Sequence, residues 1–193
     1  MSKEGKTGVS SNTPKNILFG AGTIHKGLKY TTSTWNFEDS IVGATSGGSK
    51  LSIMPEVTKV EVDGALVATK GLAVKTGETA TMEINFIELT EDIIKAGTLG
   101  KTGTSDDTTC NVIVPKADIV EGDYWENIAF VGKTLEGKNI IAILENALCT
   151  SGFEQEGKNK EGAVGKYTFE CHAELTSDLD TLPWKIYYPK STT

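Results

Sequence analysis

Apolar and polar positions alternate most regularly in two stretches of this chain. In Thr79–Phe86, Ala80, Met82, Ile84 and Phe86 point one way, while Thr79, Thr81, Glu83 and Asn85 point the other. A period of two is that of a half-buried strand. Lys166–Thr176 repeats the pattern: Tyr167, Phe169, Cys171, Ala173 and Leu175 alternate with Lys166, Thr168, Glu170, His172 and Glu174. That alternation fixes one buried and one wet face. Val60–Gly71 alternates into the pair Asp63-Gly64, which supplies the positive φ angles of a two-residue hairpin turn. Lys75–Thr79 reads as a second turn, so the region is expected to form a β-meander.

At Thr90 the period changes. Thr90 suits a helix cap, Glu91 and Asp92 the positive first turn, Lys95 the negative end, and Gly97 a left-handed exit. One short helix is therefore expected at about Thr90–Ala96. Elsewhere the pattern predicts strands. Asn16–Gly20 reads as a short buried strand, and Ala21–Tyr30 as a second one after a glycine-rich bend. Leu51–Val57, Cys110–Val114 and Tyr124–Thr134 follow, and Phe153–Gln155 leads into the strand at Lys166. Asn139–Leu148 fits helix or strand; the β-branched Ile140, Ile141 and Ile143 favour strand. Leu182–Pro189, aromatic and bounded by prolines, reads as an edge strand or docking arm.

The segments between are polar. Residues 1–15 read as an N-terminal arm without fixed structure, 16–189 as a single domain, and 190–193 as a C-terminal tail. Two loops within the domain, at about 43–50 (with Thr45–Ser49 flexible) and 98–109, are too polar for core and stand as contact elements. Glycine, at 21 of 193 residues, exceeds the usual ~7%. This is the composition of a turn-rich, mainly β protein of sandwich or barrel type with one short flanking helix.

The net charge of −7 and pI near 4.9 favour solubility and disfavour binding to nucleic acid or anionic membranes. The longest apolar run, Ile140–Leu144, is five residues, far short of a membrane span. Three widely spaced cysteines and no signal-peptide pattern after Met1 point to a reducing cytoplasm rather than a disulfide framework.

Candidate chemistry fails on spacing. The triplets at Gly5, Gly100 and Gly132 lack the earlier glycine of a phosphate loop: Lys95 and Asn127 occupy that position for the last two. In Gly20–His25, His25 stands where a dinucleotide fingerprint needs its third glycine, so Gly20 and Gly22 read as a bend or a close packing point. Cys171 and His172 alternate to opposite strand faces and cannot chelate one ion together. With two histidines and no nucleophile elbow, no hydrolytic site is legible. Glu88, Glu91 and Asp92 suit a solvated helix start. No catalytic residue, metal or cofactor is expected.

The strings NILFGAGTIHKG, TSGGSKLSIMPEV, VEVDG, VKTGETATMEINFIELTEDIIKA and LPWKIYYP, in that order, resemble a bacteriophage tail tube protein (major tail protein) of long-tailed phages and prophages. The resemblance implies a structural virion protein of tail tube fold. It would be made in the host bacterial cytoplasm and built into hexameric rings that stack as a hollow tube. Implied partners are further copies of itself, a tail-tip or baseplate initiator, a tape measure protein and a tail terminator. DNA would transit during ejection without specific binding, and there would be no membrane insertion.

On that reading Lys59, Glu61, Glu83 and Asn85 face the bore, with Lys59 requiring an acidic neighbour. Ile17, Leu18, Phe19, Gly47, Gly48, Thr102, Trp184, Ile186 and Tyr188 make contacts between subunits or rings. Two alternatives share the β-rich pattern. One is another virion binding or adhesion module, such as a tail terminator or decoration protein. The other is the inner tube of a contractile or bacteriocin-like particle.

Overall fold

The computed structural model describes residues 7–157, 159–177 and 179–190. In chain order the elements are α1 (Thr13–Asn16), β1 (Leu18–Lys26), β2 (Tyr30–Thr31), β3 (Thr34–Trp35), α2 (Phe37–Ser40), β4 (Thr45–Lys59), β5 (Ala73–Phe86) and α3 (Glu91–Thr98). There follow β6 (Lys101–Gly103), β7 (Val112–Val114), a 3₁₀ turn at Glu121–Asp123, β8 (Trp125–Thr134), β9 (Asn139–Cys149), β10 (Gly165–Cys171) and β11 (Trp184–Tyr187). The protein is mainly β, with short helices, as its alternation requires.

One antiparallel sheet carries the fold, in the order β1-β8-β9-β10-β5-β4. The sheet forks at β9, whose second side pairs with β10 at Ala147–Cys149 and with β11 at Ile141–Leu144. It also rolls up. Val42 N donates to Ile24 O of β1 at 3.0 Å, and Ile87 N to Ala44 O at 3.0 Å, so one short segment ties β1 to the end of β5.

The roll encloses the main core: Ile24, Met82, Ile84, Phe86, Ile128, Leu144, Tyr167 and Phe169, closed by Ile93 and Ala96 of α3. A second apolar layer (Leu28, Ala129, Val131, Ile141, Ile143) lies on the opposite side of β8 and β9. Trp35 and Phe37, from the excursion that carries β2, β3 and α2, cover it.

The two alternating strands behave as expected from Ala80 to Phe86 and from Tyr167 to Cys171. Beyond Cys171 the alternation is not used: no strand continues, and Leu175 is 94% exposed. The Tyr167 hydroxyl lies in the core without a hydrogen-bond partner among the described residues, and burial pushes its pKa up. An unpaired buried hydroxyl is a cost in itself. Tyr167→Phe should therefore leave the urea unfolding midpoint unchanged or raise it, by up to about 1 kcal/mol of stability.

Several expectations are corrected. The meander is one long hairpin. Asp63-Gly64 does turn, with Ala65 N on Val62 O at 3.0 Å, but the paired strands stop at Lys59 and Ala73, and beyond them Val60 N on Leu72 O at 2.8 Å is followed by an open loop. Lys75–Thr79 is no turn. It lies inside β5, and the ladder absorbs an extra residue as a bulge where Glu56 and Val57 face Gly77 and Lys75. Thr45–Ser49 likewise belongs to β4, as a bulge that Gly47 and Gly48 allow with φ near +88° and +81°.

The helix is capped as expected, with Thr90 Oγ1 accepting from Ile93 N, but the left-handed exit falls on Leu99. Gly97 lies inside the helix and serves close packing instead, since a Cβ there would sit 2.9 Å from the Tyr167 ring and 3.2 Å from Gly152 O. Thr98–Thr109 is not one loop, since Lys101–Gly103 pairs with Val112–Val114. Asn16–Gly20 is not a buried strand: Asn16 ends α1, and β1 runs on through Gly20 with Leu18 and Phe19 45% and 69% exposed. Ala21–Tyr30 is accordingly no separate strand. Phe153–Gln155 forms no element. In the expected N-terminal arm, Thr13–Lys15 are helical; residues 1–6 and the tail residues 191–193 lie outside the described residues.

Candidate assembly surfaces

Strand register places the exposed apolar side chains. Following each antiparallel pairing from β5 across the sheet brings the start of β5, the end of β10, the start of β9, the ends of β8 and β11 and the start of β1 to one end of the fold. The β4–β5 hairpin leaves the body at that end. From Met54 to Lys59 and from Ala73 to Thr76 every residue is exposed, and strand geometry gives this overhang a length of about 17 Å.

Its tip, residues 60–72, curls around an open concavity of about 860 Å³. Leu66 is 98% and Val67 79% exposed there, and Val57, Val60, Val62 and Val74 follow along the arm. Residues of ordinary core chemistry thus stand in solvent on a projecting hairpin. Apolar exposure gathered in this way marks an interaction surface.

Ile17, Leu18, Phe19, Ile186 and Tyr188 are all exposed and lie at the same end. Tyr188 Oη donates to Asn16 Oδ1 at 2.5 Å, fastening the last strand to the first helical turn. Trp184 turns inward instead. It packs against the main core, and its Nε1 donates to Glu78 Oε2 at 3.1 Å. Gly47 and Gly48 sit at the other end of β4, opposite the end of β5, and Thr102 lies in the small β6–β7 ladder. The nine proposed contact residues therefore fall into one cluster of five and four scattered positions.

The four proposed bore residues also separate. Glu83 lies on the wet face of β5, where Lys50 Nζ reaches its Oε1 at 3.1 Å and Lys166 Nζ its Oε2 at 2.5 Å. The hydrogen bonds from Lys166 and Lys50 hold this carboxyl below the usual range. Asn85, on the same face, donates from Nδ2 to Gly48 O at 3.1 Å and so braces the bulge in β4.

Lys59 is nine residues along β4 from Lys50, the cross-strand partner of Glu83. An odd number of steps puts it on the opposite face, about 30 Å away. Neither Lys59 nor Glu61 has an ion-pair partner among the described residues, so the acidic neighbour required of Lys59 is not found among them. On the wet face of β4, β5 and β10, Lys50 and Lys166 stand against Glu56, Glu83 and Glu170.

Sequence reasoning missed the arm. Val60, Val62, Leu66, Val67 and Leu72 were legible as apolar positions, but the exposure of the first four was not. Among the described residues no helix is long and apolar enough to cross a membrane, and no group of three or more acidic, histidine or cysteine side chains could hold a metal ion. The chain matches no protein-family model and no curated protein.

Proposed function

We propose that this chain is a self-assembling structural protein, a bacteriophage tail tube subunit whose copies form rings that stack into a hollow tube for DNA. The observation that carries the reading is the β4–β5 arm, whose apolar side chains Val57, Val60, Val62, Leu66, Val67 and Val74 are left exposed by the described residues. A projecting hairpin with an exposed apolar tip destabilises a lone subunit's solubility and gains only when buried on another molecule. A second copy at the arm end makes a head-to-tail contact, and repetition of such a contact builds rings or filaments.

Two further features support the reading. The outer edges of β4 and β11 carry no partner strand in the order of the sheet. Pairing between subunits would satisfy those backbone groups and remove the aggregation hazard of open edges. The wet face of β4, β5 and β10 sets two lysines against three glutamates. A bore lined by such a face would not hold DNA by counterion release, and the chain's overall acidity acts in the same direction.

Sedimentation velocity of the full chain over a wide concentration range tests the reading. Species that grow with concentration beyond a dimer are expected. A monomer at every concentration, unchanged when tail-tip components are added, would count against it.

A further inference from the structure

Asp63-Gly64 lies in the tip of the arm, and it is the one place in the chain where an aspartate or asparagine precedes glycine. Both residues are exposed. Their turn is closed by a single bond, Ala65 N on Val62 O at 3.0 Å. Among the described residues no hydrogen bond or ion pair holds the Asp63 carboxyl or the Gly64 N–H. A Cβ built on Gly64 would meet nothing within 4 Å, so the space around that peptide is open. No ladder bond fixes the peptide plane between the two residues, and a glycine adopts the neighbouring conformations without a steric penalty.

The other aspartates are held or shielded. Asp92 lies in α3 and pairs with Lys26, Asp123 pairs with Lys116, and Asp107 accepts from Thr109 N at 2.9 Å. Asp39 lies in α2. Asp106 and Asp118 are exposed, yet Asp107 and Ile119 follow them, and a side chain at that position crowds the backbone nitrogen.

We propose that Asp63 is a self-modification site, which converts to isoaspartate through a cyclic imide formed with Gly64. Gly64 N attacks Asp63 Cγ. The new C–N bond forms as the Cγ–OH bond breaks, and the hydroxyl leaves with the amide proton as water. Water then adds to one of the two ring carbonyls. Opening at the backbone carbonyl carbon of Asp63 breaks its bond to Gly64 N, frees a carboxylate on Cα and leaves Gly64 joined through Cγ. Opening at Cγ returns the aspartate. Water is the one co-reactant, and nothing is oxidised or reduced.

In the isoaspartate the backbone runs through Cβ and Cγ and is one atom longer. The Val62–Ala65 turn then loses its spacing beside Leu66 and Val67, the most exposed apolar side chains of the arm. The reaction needs no second copy of the chain, so it stands or falls independently of the assembly reading.

Incubation of the full chain at neutral pH tests the proposal, with isoaspartate read by peptide mapping and by methylation with an isoaspartyl methyltransferase. The same chain unfolded in guanidinium chloride sets the rate of an unrestrained Asp63-Gly64. One exposed hydrogen bond slows opening by at most about tenfold. The folded chain should therefore form isoaspartate at residue 63 at no less than about a tenth of the unfolded rate, preceded by a species lighter by one water. Asp63→Glu, which would have to close a six-membered ring, should lose the signal. A folded rate below that tenth, isoaspartate arising first at Asp106 or Asp118, or a signal that survives in Asp63→Glu overturns the proposal.

Discussion

Leu66→Asp combined with Val67→Asp should stop assembly while leaving the subunit folded. Both side chains are almost fully in solvent, at 98% and 79% exposure, so the folded monomer loses no contact. Surface changes of this kind alter stability by no more than about 0.5 kcal/mol. In an assembled contact the same two side chains would each contribute about 1.5–3 kcal/mol by burial, and a carboxylate there also costs desolvation. A loss of at least about 4 kcal/mol is roughly a thousandfold in association constant. Sedimentation velocity should show only the smallest species at concentrations where the unaltered chain grows, with an unchanged thermal midpoint. Growth equal to that of the parent would show that the arm tip is not part of the contact.

Gly22→Ala should cost the fold about 3 kcal/mol, and Gly20→Ala about 1 kcal/mol. Both glycines have positive φ, near +70° and +87°, which an alanine adopts only with strain. At Gly22 a Cβ would also fall 2.4 Å from the Phe130 ring and 2.8 Å from Val131 O. The backbone oxygen cannot swing away, so β1 would have to shift off β8. At Gly20 nothing lies within 4 Å, and only the backbone strain remains. Urea unfolding midpoints of the two variants separate these effects. Equal losses would mean that the close approach to β8 yields without cost.

The same two glycines show what could be read in advance. A bend or close packing at Gly20 and Gly22 followed from the failure of the dinucleotide pattern, and the chain uses both possibilities, one at each residue. The alternation of Ala80–Phe86 and Tyr167–Cys171 was legible because each apolar position there has a core to face. The same signal misled at Val60–Gly71 and at Ala173–Leu175, where the alternation is present and the core is not.

Turn chemistry was ambiguous for a related reason. Glycine-rich strings such as Thr45–Ser49 and Lys75–Thr79 serve a bulge as well as a loop, and only the partner strand decides between them. Gly97 was placed at the helix exit by its type, yet the ring of Tyr167, distant in sequence, sets its role. Ile186 and Tyr188 were legible as part of an edge strand or docking arm, while Ile17, Leu18 and Phe19 fall in a stretch that reads as a buried strand. Their gathering at the arm end required the register of the whole sheet. Glu83 was correctly assigned to the wet face, while Lys59 was assigned there without the count of strand steps that separates the two.

Electron microscopy of the concentrated full chain, seeded with tail-tip components where it does not grow alone, tests the central claim most directly. Hollow filaments with a regular axial repeat are the expected result. Discrete single particles under every condition, or solid irregular aggregates without a bore, would contradict it.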